Sequence, residues 1–363
     1  MSKKILILSL ALITLGLAAC DKEKLTPLKN TYKDYFLIGN IINHEYMSGG
    51  HFDILKTHFN IATCENVMKP DHLAPPLKGL PYLWRDADIM VNLMRENHIQ
   101  VHGHTLIWHN QTRAWLTSGT PEEVKENMIN HINTVLNHFR GRVISWDVVN
   151  EAMADGITDP SNWRSCLRQN SGWYQQLGPD YIELAFRTAR DTDPDIKLYY
   201  NDYGLNDRRK ATAVRNMVKD INDRYKAEGN SRNLIDGIGM QGHYGLWVNV
   251  ADVRNSLQMF REIGVEVSIS ELDIEIHLTN SGQWGVNKHS DVPEAQAVIQ
   301  ARMYATLFNL FREYSDIIER ITFWGIDDKT SWKSIGNPLL WDAELNPKPA
   351  FFGVSDPNKT LGI

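Results

Sequence analysis

R-V-I-S-W-D-V-V-N-E, Arg142 to Glu151, is the stretch on which the reading of this chain turns. Val143, Ile144, Val148 and Val149 are β-branched residues of the kind that fill a buried strand, yet the run ends on an adjacent amide and carboxylate, Asn150 and Glu151. Neighbouring side chains of a strand point to opposite faces. If both groups serve one place, the strand must stop or bulge there. A strand that simply meets water would account for one such ending. The same ending recurs along the chain.

Similar β-rich runs lie at F-L-I-G-N-I-I (36–42), F-N-I-A-T-C-E-N (59–66), I-Q-V-H-G-H-T-L-I-W (99–108) and I-K-L-Y-Y-N-D-Y (196–203). Three more follow: I-D-G-I-G-M-Q-G-H-Y (235–244), E-V-S-I-S-E-L-D-I (266–274) and R-I-T-F-W-G-I-D-D (320–328). With 142–151 that makes eight strands. Helical patterns separate them. The clearest opens T-P-E-E at Thr120, with Thr as N-cap, Pro121 at the first helical position and Glu123 closing a capping box. Val124, Met128, Ile132, Val135 and Phe139 then recur at spacings of three and four until Gly141. A second such helix carries Val253, Leu257 and Phe260 and stops at Gly264. Alternating strands and helices imply a parallel sheet. Eight such units predict an α/β fold of the (β/α)8 TIM barrel type, in a single domain over residues 31–355.

Composition narrows the function. The 363 residues carry a formal net charge of -6, which argues against a nucleic-acid binder with its basic face. No G-x-G-x-x-G or G-K-[ST] loop suggests a nucleotide. The N-terminus reads separately: a basic Met1–Lys4, an apolar Ile5–Leu17 too short for a comfortable membrane span, and then L-A-A-C ending at Cys20. Residues 1–19 are expected to be a signal peptide. The Cys at the cleavage point resembles a bacterial lipobox, which implies lipid on Cys20, a charged tether over 20–30 and a protein anchored in the cell envelope. Cys64 and Cys166 are then expected as two unpaired thiols, since two distant cysteines make no disulfide framework.

In a barrel of this kind, chemistry sits at the C-terminal ends of the strands. Those ends carry Glu65, Asn66 and Lys69; His102, His104, Trp108 and His109; Asn150 and Glu151; Asn201, Asp202 and Tyr203; Gln241 and His243; Glu271 and Asp273; and Trp324, Asp327 and Asp328. Two chemistries suit that face. One is metal-dependent hydrolysis, with His102-x-His104 joined by Lys69, His243 and Asp327. The H-x-H of barrel amidohydrolases sits on the first strand, however, and here it sits on the third. The other is glycoside hydrolysis by Glu151 and Glu271, on strands that face each other across the mouth. A retaining mechanism needs those carboxyls roughly 5–5.5 Å apart, one kept as acid and the other ionised. Eleven Trp and thirteen Tyr offer ring faces for sugars, or for packing.

W-D-V-V-N-E-A (146–152), E-N-V-M-K (65–69), G-H-T-L-I-W-H (103–109), N-D-Y (201–203), G-M-Q-G-H (239–243) and S-E-L-D-I (270–274) together resemble the endo-β-1,4-xylanases of glycoside hydrolase family 10, from about residue 30 to 355. The resemblance implies Glu151 as general acid/base and Glu271 as nucleophile. It implies that Asn150 bonds the 2-hydroxyl of the sugar at the cleavage position, and that Asp273 orients His243 beside the nucleophile. His104, Trp108, Lys69 and Gln241 would line the same sugar site, Glu65 and Asn66 the next sugar, and Trp324 and Trp332 an aromatic wall. Tyr203 is carried over as a further substrate contact. A non-proline cis peptide is expected at His104-Thr105.

Two departures stand out: Asn110 and Ser270 replace the family's usual Ser and Thr. Gln111 is kept, and with Trp332 it would crowd the hydroxymethyl of a glucose, which favours xylan. Trp163 and Trp173 either reach sugars on the leaving-group side or pack. No cofactor or metal is expected, and a monomer is. The competing readings are a β-1,4-glucanase of the same clan, a non-catalytic glycan-binding barrel and the metallohydrolase.

Overall fold

The computed structural model describes residues 25–276 and 292–363; the expected signal peptide and residues 20–24 of the expected tether, Cys20 among them, lie outside these residues. Nine strands follow in chain order: β1 (Leu37–Ile42), β2 (Ile61–Cys64), β3 (Gln100–Trp108), β4 (Ser145–Asn150), β5 (Lys197–Asp202), β6 (Gly237–Met240), β7 (His243–Gly245), β8 (Glu266–Glu275) and β9 (Ile318–Phe323). Each of β1 to β5 pairs in parallel with the next, β6 pairs with β8, and β8 pairs with β9. The ring closes where β9 meets β1, with Gly39 opposite Thr322. Eight strands therefore form a closed parallel barrel ringed by helices, the expected (β/α)8 architecture.

The ninth strand is a refinement. The run 235–244 breaks into β6 and β7 at Gly242, whose φ of 79° lies in the left-handed region and whose missing Cβ would meet Ile269 Cγ2 at 3.0 Å. Beyond that bend β7 continues alongside β8, with His243 opposite Asp273.

The helices form as the apolar spacing predicts. Thr120 and Glu123 make both bonds of a capping box, at 3.3 and 2.8 Å, and the helix Pro121–Phe139 buries Val124, Met128, Ile132, Val135 and Phe139. Gly141 follows at φ 70°. The helix Val250–Glu262 buries Val253, Leu257 and Phe260. These stripes form the layer between barrel and helices; truncating one such side chain to Ala costs roughly 2–5 kcal/mol. Near the start of the described residues Leu25 packs against the core, Leu28 is fully buried, and Tyr32 donates to Val354 O at 2.5 Å.

Inside the barrel the lining is polar. His102 pairs across the strands with Ser145, Asp147 with Tyr199, and Ser268 with Arg320. Cys64 and Cys166 are both free and buried, and burial pushes the Cys64 thiol up to about 12.

Candidate active site

The ending of β4 is solved by the backbone. The β4–β5 register slips between Asp147 and Val149, the strand stops at Asn150, and Glu151 turns out of it at φ 55°. A left-handed glutamate costs of order 1–3 kcal/mol and persists only where its neighbours impose it. They do here: Glu151 N donates to Asn201 O at 2.8 Å, and the Tyr200 hydroxyl accepts from Ala152 N and Met153 N at 3.1 Å each. Amide and acid thus reach the same mouth.

Glu151 sits among neutral donors. Trp108 Nε1 donates to its Oε2 and Gln241 Nε2 to its Oε1, both at 2.9 Å. Glu271 sits among charges. Asn201 Nδ2 donates to its Oε1 at 2.8 Å, and His243 Nε2 lies 3.2 Å from its Oε2. His243 Nδ1 lies 2.7 Å from Asp273 Oδ2, and Asp273 also accepts from Trp332 Nε1 at 3.2 Å and Lys333 Nζ at 3.4 Å. Burial works against a charge on His243, but Asp273 and then Glu271 outweigh it and raise the imidazole to about 9. Burial likewise opposes ionisation of Glu271. The His243 hydrogen bond, the charges of His104 and His243 and the Asn201 amide overcome that burial and hold its carboxyl below the usual range. Glu271 is therefore an anion at neutral pH, paired with a cationic imidazole.

Other predicted residues gather around this pair. Lys69 Nζ donates to Asn66 Oδ1 and Gln111 Oε1, each at 2.9 Å. Burial lowers the Lys69 ammonium against the pull of Glu271 and Glu65. Glu65 accepts from Asn43 Nδ2 at 2.9 Å. His104 Nδ1 lies 2.9 Å from Asp147 Oδ2, the ring meets Trp324 edge-on at 5.5 Å, and the His104-Thr105 peptide is cis. Trp332 stands 58% exposed with its ring 5.0 Å from that of His243, an open aromatic face at the rim.

Some readings change. Tyr203 makes none of these contacts; its hydroxyl accepts from Arg168 at 2.8 Å and donates to Asp155 at 2.5 Å, with Lys210 Nζ 3.6 Å over its ring. Trp163 and Trp173 pack, at 5% and 1% exposure, and their indole N–H groups bond Asp220 and Trp108 O. The side chains of the metal reading are committed elsewhere: His102 to Ser145 and Asp147, Asp327 to His51 at 2.8 Å, and Lys69 to two amides. Asn201, read only as a strand end, has a larger part, since its Nδ2 lies 2.8 Å from Glu271 and 3.0 Å from the Asn150 side-chain amide. Ser270 Oγ donates to Asn201 Oδ1 at 2.6 Å. The available signal was Asn201's alignment with Asn150 at the ends of neighbouring strands.

A carboxylate held ionised, facing a second carboxylate among neutral donors and a rim of indoles, suits glycosyl transfer to an enzyme carboxylate. The family model of glycosyl hydrolase family 10 matches residues 27–357. The chain is 37% identical to a β-1,4-xylanase of Dictyoglomus thermophilum, over 96% of this chain and 97% of that protein. It is 36% identical to endo-1,4-β-xylanase A of Thermotoga neapolitana over 93% of this chain, and spans 31% of that longer relative. Among solved structures it is similar to an intracellular xylanase of Thermoanaerobacterium saccharolyticum in complex with xylotriose, with TM-score 0.80 and 33% identity, covering 92% of this chain and 99% of that one. The chain belongs to glycosyl hydrolase family 10.

Proposed function

We propose that the protein is a retaining endo-β-1,4-xylanase. The observation that carries the assignment of roles is the His243–Glu271 contact at 3.2 Å inside a buried site, which keeps Glu271 ionised as nucleophile. In the first step a Glu271 oxygen attacks the anomeric carbon, and Glu151 gives its proton to the glycosidic oxygen as the C–O bond breaks. In the second, Glu151 takes a proton from water, the water oxygen bonds the anomeric carbon, and the Glu271 ester is cleaved with its electron pair returned to the carboxylate. Asn150, His104 and Lys69 hold the sugar, Glu65 and Asn66 hold its neighbour, and Trp324 and Trp332 wall the site. Tyr203 enters this reading as a further substrate contact on the family resemblance alone.

The test is reducing-sugar release from glucuronoxylan and carboxymethyl cellulose side by side, with Glu271→Ala as control and EDTA in a parallel tube. Release from xylan, lost in the variant and indifferent to EDTA, is expected. Release from cellulose alone would overturn the crowding assigned to Gln111 and Trp332 and favour the glucanase.

We also infer export and lipid attachment at Cys20, in the cell envelope. The L-A-A-C motif that ends at Cys20 supports this. No described helix is long and apolar enough to cross a membrane. Intact-mass analysis of the membrane fraction, with Cys20→Ala for comparison, tests the anchor.

A further inference from the structure

Below the mouth, along the barrel interior, runs a column of buried polar groups that the proposed reaction does not use. Arg320, on β9, is 1% exposed. Its Nη2 lies 2.9 Å from His102 Nε2 and its guanidinium carbon 4.8 Å from the centre of the Tyr199 ring. Its Nε and Nη1 have no hydrogen-bond partner among the described residues. His102 Nδ1 lies 2.7 Å from Ser145 Oγ, and its Nε2 also lies 3.1 Å from Asp147 Oδ2. The same Asp147 oxygen lies 2.9 Å from His104 Nδ1. His104 in turn is among the groups whose charge acts on Glu271. The column therefore runs from Arg320 through His102, Asp147 and His104 to the nucleophile.

A carboxylate buried this deeply needs hydrogen bonds and a counter-charge, or it takes up a proton. His104 Nδ1 supplies one hydrogen bond, while His102 Nε2, 3.1 Å from the same oxygen, is the acceptor for Arg320. Arginine supplies a charge that no physiological pH removes. We propose that Arg320 and His102 are positioning residues: Arg320 donates to His102 Nε2 and keeps that ring uncharged with its Nδ1 proton on Ser145, so that Asp147 Oδ2 is left to accept the Nδ1 proton of His104 and His104 presents a fixed ring edge to the sugar beside Glu271. The part that concerns the sugar rests on the xylanase reading; the charge column does not.

The surroundings of His102 leave few other sources of charge. From β4 it meets Ser145 and Asp147, from β9 Arg320, and along its own strand His104. From β5 it meets the edge of Tyr199, ring centres 6.1 Å apart, whose hydroxyl donates to Glu266 of β8 at 2.8 Å. Glu266 also pairs with Lys197. Burial and then Arg320 push His102 down to about 4 against the pull of Asp147.

The deciding experiment follows the histidine ring nitrogens by NMR across pH in the full mature chain, as wild type, Arg320→Met and Arg320→Lys, alongside pH profiles of kcat and KM. In the wild type His102 should stay uncharged down to about 4. Arg320→Met keeps most of the volume and removes the charge. Its His102 should titrate roughly one pH unit or more higher, so kcat should fall on the acid side of the profile and change little at neutral pH. The acid limb of the profile should move up with it. Arg320→Lys should return the limb most of the way. A doubly protonated His102 in the wild type at neutral pH overturns the proposal. So does an Arg320→Met protein whose His102 titration and acid limb are unchanged, the result that a purely packing role predicts. If the Met variant does not fold, the wild-type spectrum and the Lys profile decide. Titrations as expected in a protein that does not cleave xylan would sink the xylanase reading and leave the column standing.

Discussion

Glu151 and Glu271 are the same side chain in one cleft, held in opposite ways. Glu151 meets an indole N–H and an amide, donors without charge. Glu271 meets an imidazole that is itself clamped by Asp273, with Lys333 and Trp332 behind. The cationic partner holds Glu271 as the anion, whereas the two donors to Glu151 carry no charge. In the proposed reaction that contrast divides the roles of acid and nucleophile between identical groups: the difference lies in the neighbours' charge and not in the glutamates.

The harshest way to break the contrast is to remove the nucleophile. Glu271→Ala should lower kcat/KM on xylan on the order of 10⁴-fold or more. Azide should partly rescue it on an activated aryl xyloside, giving the glycosyl azide of inverted configuration. Glu151→Ala should lose about 10²–10⁴-fold on xylan but much less on substrates whose leaving group needs no proton. Azide should then yield the product of retained configuration. Identical leaving-group dependence in the two variants would mean the roles are wrongly divided.

A milder change strips the charge from one side. His243→Asn should raise the Glu271 pKa, because the cation that lowers it is gone. The acid limb of kcat/KM should move to higher pH, with a loss at neutral pH of about 10-fold or more. Stability gives a second readout. His243 is raised from 6.5 to about 9 on folding, so its contribution is fully present below 6.5 and disappears as pH rises towards 9. Thermal melts of the wild type should therefore decline across that window more steeply than those of His243→Asn. Equal slopes would show that the imidazole is not a cation in the folded protein.

The smallest effect should come from a site far from both glutamates. Thr120→Ala breaks the capping box and should cost about 1 kcal/mol, a shift in Tm of roughly 2–4 °C or less in a domain of this size. The pH profile should not move. A changed profile would mean that the carboxyl contrast reaches the helix layer, which the local cage around Glu271 does not predict.

Much of this was legible in order along the chain. The strand runs, the capping box at Thr120 and the apolar stripe to Phe139 depend on neighbours three or four residues away, and they appear where their spacing places them. The polar strand ends were legible for the same reason, as breaks in an apolar pattern. The less legible residues depend on partners far along the chain. Asn201 bridges to Glu271, 70 residues on. Tyr203 turns to Asp155 and Arg168, and Trp173 turns inward to Trp108. His102 looked like half of a metal-binding pair and instead answers to Arg320, 218 residues away.

By itself, then, the sequence determined the number and order of the barrel's units and which strand ends carry chemistry, because burial with period two or 3.6 is a local property. The tertiary structure decided which of those groups meet. Closure of β9 on β1, the slip in β4 and the left-handed turns at Glu151 and Gly242 set which side chains share the mouth and which the barrel's interior. Whether a carboxylate becomes an acid or a nucleophile follows from those meetings. The charge beside it arrives from a different strand, through a register that no single stretch of the chain contains.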